Sequence, residues 1–147
     1  VTTLKDPPKN ILVPIDFSEA SEKAATAACA LAAKTGATVH LLHAYVIPVE
    51  SVGLALTVSQ QYVEQFVRES KEQLQQLAAK LCPGAPMGPL LVESGDPREV
   101  ITDEAKNLHA ELIVMGTHGR RGITRALLGS VAESVVRTAH CSVLVVR

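Results

Sequence analysis

The stretch richest in chemistry is Met115-Gly116-Thr117-His118-Gly119-Arg120-Arg121-Gly122-Ile123-Thr124-Arg125-Ala126-Leu127-Leu128-Gly129-Ser130. Gly116 and Gly119 permit tight turns and let backbone N–H groups approach an anion closely. Gly129-Ser130 has the form of a helix start, where the first N–H groups lack acceptors within the helix and favour negative charge. Ser130 adds a hydroxyl donor, and Arg120, Arg121 and Arg125 make the segment locally positive. These residue types together describe a phosphate site. Glycines between a strand and a helix also simply turn the chain, and loop arginines also form ordinary solvated patches. The segment by itself leaves both readings open.

Two other kinds of phosphate loop are missing. No G-x-x-x-x-G-K-[ST] occurs in the chain. The first strand-to-helix turn, Ile15-Asp16-Phe17-Ser18, has no glycine, which argues against a nicotinamide or flavin dehydrogenase. His40 and His43 stand three apart on a strand and point to opposite faces, against a shared metal site. His109 and His140 are isolated, as exposed or capping residues. His118 either touches phosphate or is an ordinary loop residue. No Ser/His/Asp order or paired carboxylates stand out for hydrolysis. Cys29, Cys82 and Cys141 are few, odd in number and without a CxxC, so they read as small buried hydrophobes rather than a disulfide framework or zinc site.

The elements that must carry the glycine segment follow from periodicity. Ile11–Ile15 is a short apolar run that reads as a buried strand, with Pro14 tolerable near its end. Ser18 is a good N-cap for an Ala-rich helix over Ala20–Lys34, with Ala24, Ala27, Ala28 and Leu31 at helical spacing and Gly36 as its stop. Thr38–Val46 is a second strand. Ile47–Thr57 fits neither period, although it is unusually apolar for a loop. Val58–Leu81 is a long helix with Val63, Phe66, Val67, Leu74, Leu77 and Leu81 as its stripe. Pro89–Glu93 is a third strand, and Gly95-Asp96-Pro97 turns into a helix that runs to about His109. Leu112–Met115 is the fourth strand, Ser130–Thr138 the last helix with Val131, Val135 and Val136 on one side, and Ser142–Val146 the fifth strand. Alternation of this kind predicts an α/β fold: a mainly parallel sheet with helices on both faces and right-handed crossovers. The glycine segment then leaves the C-terminal end of a strand, where open parallel sheets bind ligands.

Composition sets the outer limits. A chain of 147 residues, 47% hydrophobic and 20% charged, suits a single globular domain over 1–147. With a formal net charge of −1, no Trp, two Phe and two Tyr, it has neither the basic field nor the stacking platforms expected of a nucleic-acid binder. No apolar stretch is long enough to span a bilayer, and no signal peptide is visible, so the expected location is the cytoplasm, without a membrane partner.

Gly116-x2-Gly119-x9-Gly129-Ser130 resembles, spacing included, the ATP-binding signature of the universal stress protein family. Ile11–Ser18, Gly95-Asp96-Pro97 and the closing Cys141–Arg147 are similar to further landmarks of that family, so the resemblance covers almost the whole chain. It implies a three-layer, Rossmann-like sandwich around a five-stranded parallel sheet in the order 3-2-1-4-5. The first and fourth strands then lie side by side at the topological switch point. The resemblance further implies a nucleotide-binding set of Pro14, Ile15, Asp16, Val39, Met115, Gly116, His118, Gly119, Arg120, Gly129, Ser130 and Val131. Asp16 and Val39 would line the adenine and ribose pocket, Gly116 and Gly119 would sit near ribose and phosphates, and Gly129, Ser130 and Val131 would bind phosphate. ATP is the implied ligand, and a divalent ion such as Mg2+ has a place on its phosphates. Residue readings that need no ligand also stand: Asp16 as a turn or N-cap residue, Val39 as core.

The resemblance also implies a homodimer through the edge strand Ser142–Val146, whose open edge invites pairing. The function implied is a nucleotide-responsive binding module in stress response. Slow ATP hydrolysis or autophosphorylation, with Ser130 or Thr124 as acceptor, and a nucleotide-independent interaction dimer are the alternatives.

Overall fold

The computed structural model describes residues 6–47, 56–118 and 128–147. Strands β1 (Asn10–Pro14), β2 (Thr38–Tyr45), β3 (Leu91–Ser94), β4 (Leu112–Gly116) and β5 (Ser142–Val146) alternate with helices α1 (Glu19–Thr35), α2 (Leu56–Leu81), α3 (Pro97–Asn107) and α4 (Ser130–Thr138). All strand pairs are parallel, in the order β3-β2-β1-β4-β5. This is the α/β architecture and strand order expected from the sequence.

Alternate strand residues feed two cores. Ile11, Val13, Val39 and Leu41 pack beneath α1 and α2, with Ala24, Ala28 and Leu74. Leu12, Leu42, Ile113 and Met115 pack on the other face, with Ile101 of α3 and Ala132 and Val135 of α4. The Ala face of α1 lets that helix sit close to the sheet. Ser18 caps it by accepting from the Ser21 N–H, and Gly36, at φ 77°, closes it with an N–H to the Ala32 carbonyl. Asp96 caps α3, with Pro97 in its first turn. Among the described residues no helix is long and apolar enough to cross a membrane.

Three expectations change. Cys29 and Cys82 are buried, but as a disulfide, their Cα atoms 5.1 Å apart; Cys141 is the free thiol. The buried face of α1 and the residue after α2 meet only once both helices dock on the same side of the sheet. Val136 does not share the buried side of α4: Ala132 and Val135 take it, and Val136 is 49% exposed. The stripe of α2 is covered mainly in its second half, where Leu74 and Leu77 are buried; Phe66 stays 37% exposed.

Candidate functional site

A cavity of about 530 Å³ opens where β1 and β4 end. This volume lies within the range of small-molecule sites. Their crossovers leave in opposite directions, so this is the switch point of the sheet. Pro14, Ile15 and Asp16 form one wall; Met115, Gly116, Thr117 and His118 form the next; Gly129, Ser130, Val131 and Ala132 close it from α4. Leu42 and Ala44 of β2 complete the apolar side, joined by Pro97 and Ile101 of α3.

Asp16 is held in one orientation. Its Oδ1 accepts from the Ser18 N–H at 3.0 Å and from the Ser18 hydroxyl. Among the described residues Oδ2 has no partner, which leaves one carboxylate oxygen for a hydroxyl or amine donor of a ligand. Phe17, the next residue, sits at φ 62°, a conformation uncommon for a bulky side chain.

Opposite Asp16 lies the start of α4. Gly129 is its N-cap and supplies no side-chain bond; the first N–H bonded within the helix is that of Glu133, to the Gly129 carbonyl at 2.9 Å. The N–H groups of Ser130, Val131 and Ala132 therefore have no helical acceptor, and all three residues line the cavity. Unpaired N–H groups at the positive end of a helix form an anion site.

Both glycines of this wall are fixed by sterics. A Cβ on Gly116 would meet the Ala20 backbone of α1 at 2.7 Å. A Cβ on Gly129 would lie 2.8 Å from the Thr117 carbonyl oxygen, which accepts the Gly129 N–H at 2.7 Å. Approach to an anion is thus not their only use: each lets another stretch of backbone dock.

Beside them, the His118 Nδ1 and the Thr117 hydroxyl are 2.8 Å apart, and the His118 Nε2 is buried without a partner among the described residues. Among the described residues no group of three or more His, Cys, Asp or Glu could hold a metal ion.

Of the expected residues, Pro14, Ile15, Asp16, Met115, Gly116, His118, Gly129, Ser130 and Val131 come together here. Gly119 and Arg120 lie outside the described residues, as do Arg121, Thr124 and Arg125. Val39 is corrected. It is fully buried in the core beneath α1 and α2, its N–H bonded to Pro86 and its carbonyl to Gly88. Its neighbour in register is Ile11, near the start of β1, whereas the cavity lies at the strand's end.

The β2 residues that reach the cavity are Leu42, opposite Pro14, and Ala44. Tyr45 turns its carbonyl to Gly95, toward β3; by strand alternation the N–H and carbonyl of Ala44 face the other way, where β1 has already ended. Knowledge of the β1–β2 register would have found them.

A family model described as the universal stress protein family matches residues 8–147. Universal stress protein MJ0531 of Methanocaldococcus jannaschii is 37% identical over 142 residues, 95% of this chain and 82% of the relative. Hypothetical protein MJ0577 has a solved structure that superposes with a TM-score of 0.81 at 28% identity, covering 94% of both chains. A universal stress protein from Archaeoglobus fulgidus, solved in complex with dAMP, superposes with a TM-score of 0.63 at 26% identity, covering 94% of this chain and 97% of that one.

Proposed function

The chain belongs to the universal stress protein family, and from that premise we propose that its cavity binds an adenine nucleotide, ATP in particular, as a nucleotide-responsive module in stress response. The observation that carries this reading is the pairing of Asp16 with the open N–H groups of Ser130, Val131 and Ala132 across one cavity. A carboxylate oxygen suits the ribose hydroxyls. Three backbone donors at a helix start suit phosphate. Between them Leu42, Ile101 and Met115 offer an apolar slot for a base, and the backbone of Ala44, without a partner among the described residues on the side facing past the end of β1, offers one donor and one acceptor to its edge. The dAMP complex of the Archaeoglobus relative supports the same ligand class.

The signature Gly116-x2-Gly119-x9-Gly129-Ser130 supports a ligand with a polyphosphate, hence ATP over a monophosphate. Mg2+ would arrive on the phosphates, since no carboxylate cage stands among the described residues. The half-exposed edge strand β5, with Leu144 45% exposed, supports a homodimer formed through Ser142–Val146.

Equilibrium dialysis of the protein against ATP with Mg2+, beside Asp16→Ala, tests this reading. Saturable binding that weakens in the variant is expected. No binding to the wild-type protein at millimolar ATP overturns it. Release of phosphate during dialysis would replace a binding module with an ATPase.

A further inference from the structure

Next to the cavity, but not lining it, His43 contacts the turn that carries Asp16. Its Nδ1 lies 2.8 Å from the Ile15 carbonyl oxygen. A carbonyl only accepts, so Nδ1 carries the hydrogen. That carbonyl belongs to the planar peptide that also contains the Asp16 nitrogen, so holding it fixes the plane from which Asp16 departs. The ring of His43 also packs on Phe17, centroids 4.8 Å apart, at the residue held at φ 62°. The ring of Phe66, from α2, also lies near it, centroids 6.2 Å apart. One side chain thus grips both neighbours of Asp16: Ile15 by a hydrogen bond and Phe17 by its ring.

We propose that His43 is a positioning residue for the cavity: by holding the Ile15 carbonyl and bracing Phe17, it aims the Asp16 carboxylate at the ligand. The inference rests on the nucleotide reading for its consequence, yet the geometry it asserts exists without ligand. Ser18 reports that geometry directly, since its N–H donates to the Asp16 Oδ1. Two substitutions divide the roles. His43→Phe keeps a ring against Phe17 and removes the bond to Ile15. His43→Asn keeps an N–H near Nδ1 and removes the ring.

The test is nuclear magnetic resonance of the nucleotide-free protein, followed by ATP and adenosine titrations. In the wild-type protein, the His43 Nδ1 should show the signature of a protonated ring nitrogen, with scalar coupling to the Ile15 carbonyl carbon. In His43→Phe the Ser18 amide should shift and exchange faster with solvent, while His43→Asn restores part of its protection. Affinity for ATP and for adenosine should fall together, by about tenfold in His43→Phe, the scale of one misplaced hydrogen bond. An unprotonated Nδ1 in the wild-type protein overturns the proposal, and that measurement needs no variant to fold. An unchanged Ser18 amide in a folded His43→Phe overturns it as well. If wild-type protein binds no nucleotide, the proposed function fails, while the Ser18 and His43 signals still judge the positioning role.

Discussion

The position of a Cβ on Gly116 falls 2.7 Å from the backbone carbonyl carbon of Ala20, so the end of β4 and the first turn of α1 are in direct backbone contact. Neither partner is the end of a flexible side chain, so neither yields cheaply. Gly116→Ala must lift α1 from the sheet, and with it the Asp16–Ser18 turn. We expect a loss of about 1–3 kcal/mol in stability, the usual cost of overpacking, measured by urea denaturation. Weaker ATP binding should accompany it.

Ser130 allows the backbone donors of α4 to be tested without that penalty. It occupies the first position of the helix, where proline is tolerated, and Gly129 before it is extended at φ −61°, ψ 153°, as a residue preceding proline requires. Ser130→Pro removes one N–H that has no helical acceptor, together with the hydroxyl. Ser130→Ala removes the hydroxyl alone. Affinity for ATP should fall roughly tenfold in the proline variant and less in the alanine variant, while adenosine binding holds in both. Calorimetric titration decides; equal loss in the two variants would assign the phosphate contact to the hydroxyl.

The Cys29–Cys82 bond should make stability redox-dependent. Closing a long loop restricts the unfolded chain, with a typical contribution of ~2–4 kcal/mol. Reduction should lower Tm by roughly 5–15 °C for a chain of this size. Cys141→Ala should keep the reductant effect and Cys82→Ala should abolish it. Thiol titration of the unreduced, denatured protein should find Cys141 and neither of the others.

His40 should make stability fall in mild acid. Burial holds its imidazole below its ordinary pKa of 6.5. The Nε2 bonds the Asn10 side chain at 3.3 Å, whereas Nδ1 is buried without a partner among the described residues, so a second proton has nowhere to be shared. The unfolded chain takes up that proton more readily than the folded one. The stabilisation is therefore complete above pH 6.5 and declines as pH falls from there toward the depressed folded value. Urea midpoints at pH 7.5 and 5.5 should differ less in His40→Gln than in the wild-type protein.

The alternation of strands and helices, the caps Ser18 and Gly36, the Gly95-Asp96-Pro97 turn and the glycine signature were all legible because each is a local pattern; that Asp96 itself caps α3 is a finding of the structure. What the sequence hid depends on register and docking. Val39 and Ala44 are both small residues on one strand; only the pairing of Asn10 with Thr38 decides which one overhangs the end of β1. Gly116 and Gly129 were visible as glycines, but the backbone each one admits comes from Ala20 and Thr117, across a crossover or a loop. The role of His43 was equally hidden, since a histidine in an apolar strand does not announce that its partner is a carbonyl 28 residues earlier.

The bond between Cys29 and Cys82 also changes how the molecule answers to force. It spans a sequence separation of 53 residues, enclosing the end of α1, all of β2 and all of α2. Pulled by its two ends, the oxidised chain cannot pay out that length. Its full extension should fall short of the reduced chain's by roughly 180 Å, at ~3.4 Å per residue. β2, which supplies Leu42 and Ala44 to the cavity, and α2 are thereby shielded from the tension that would draw out the rest of the polypeptide.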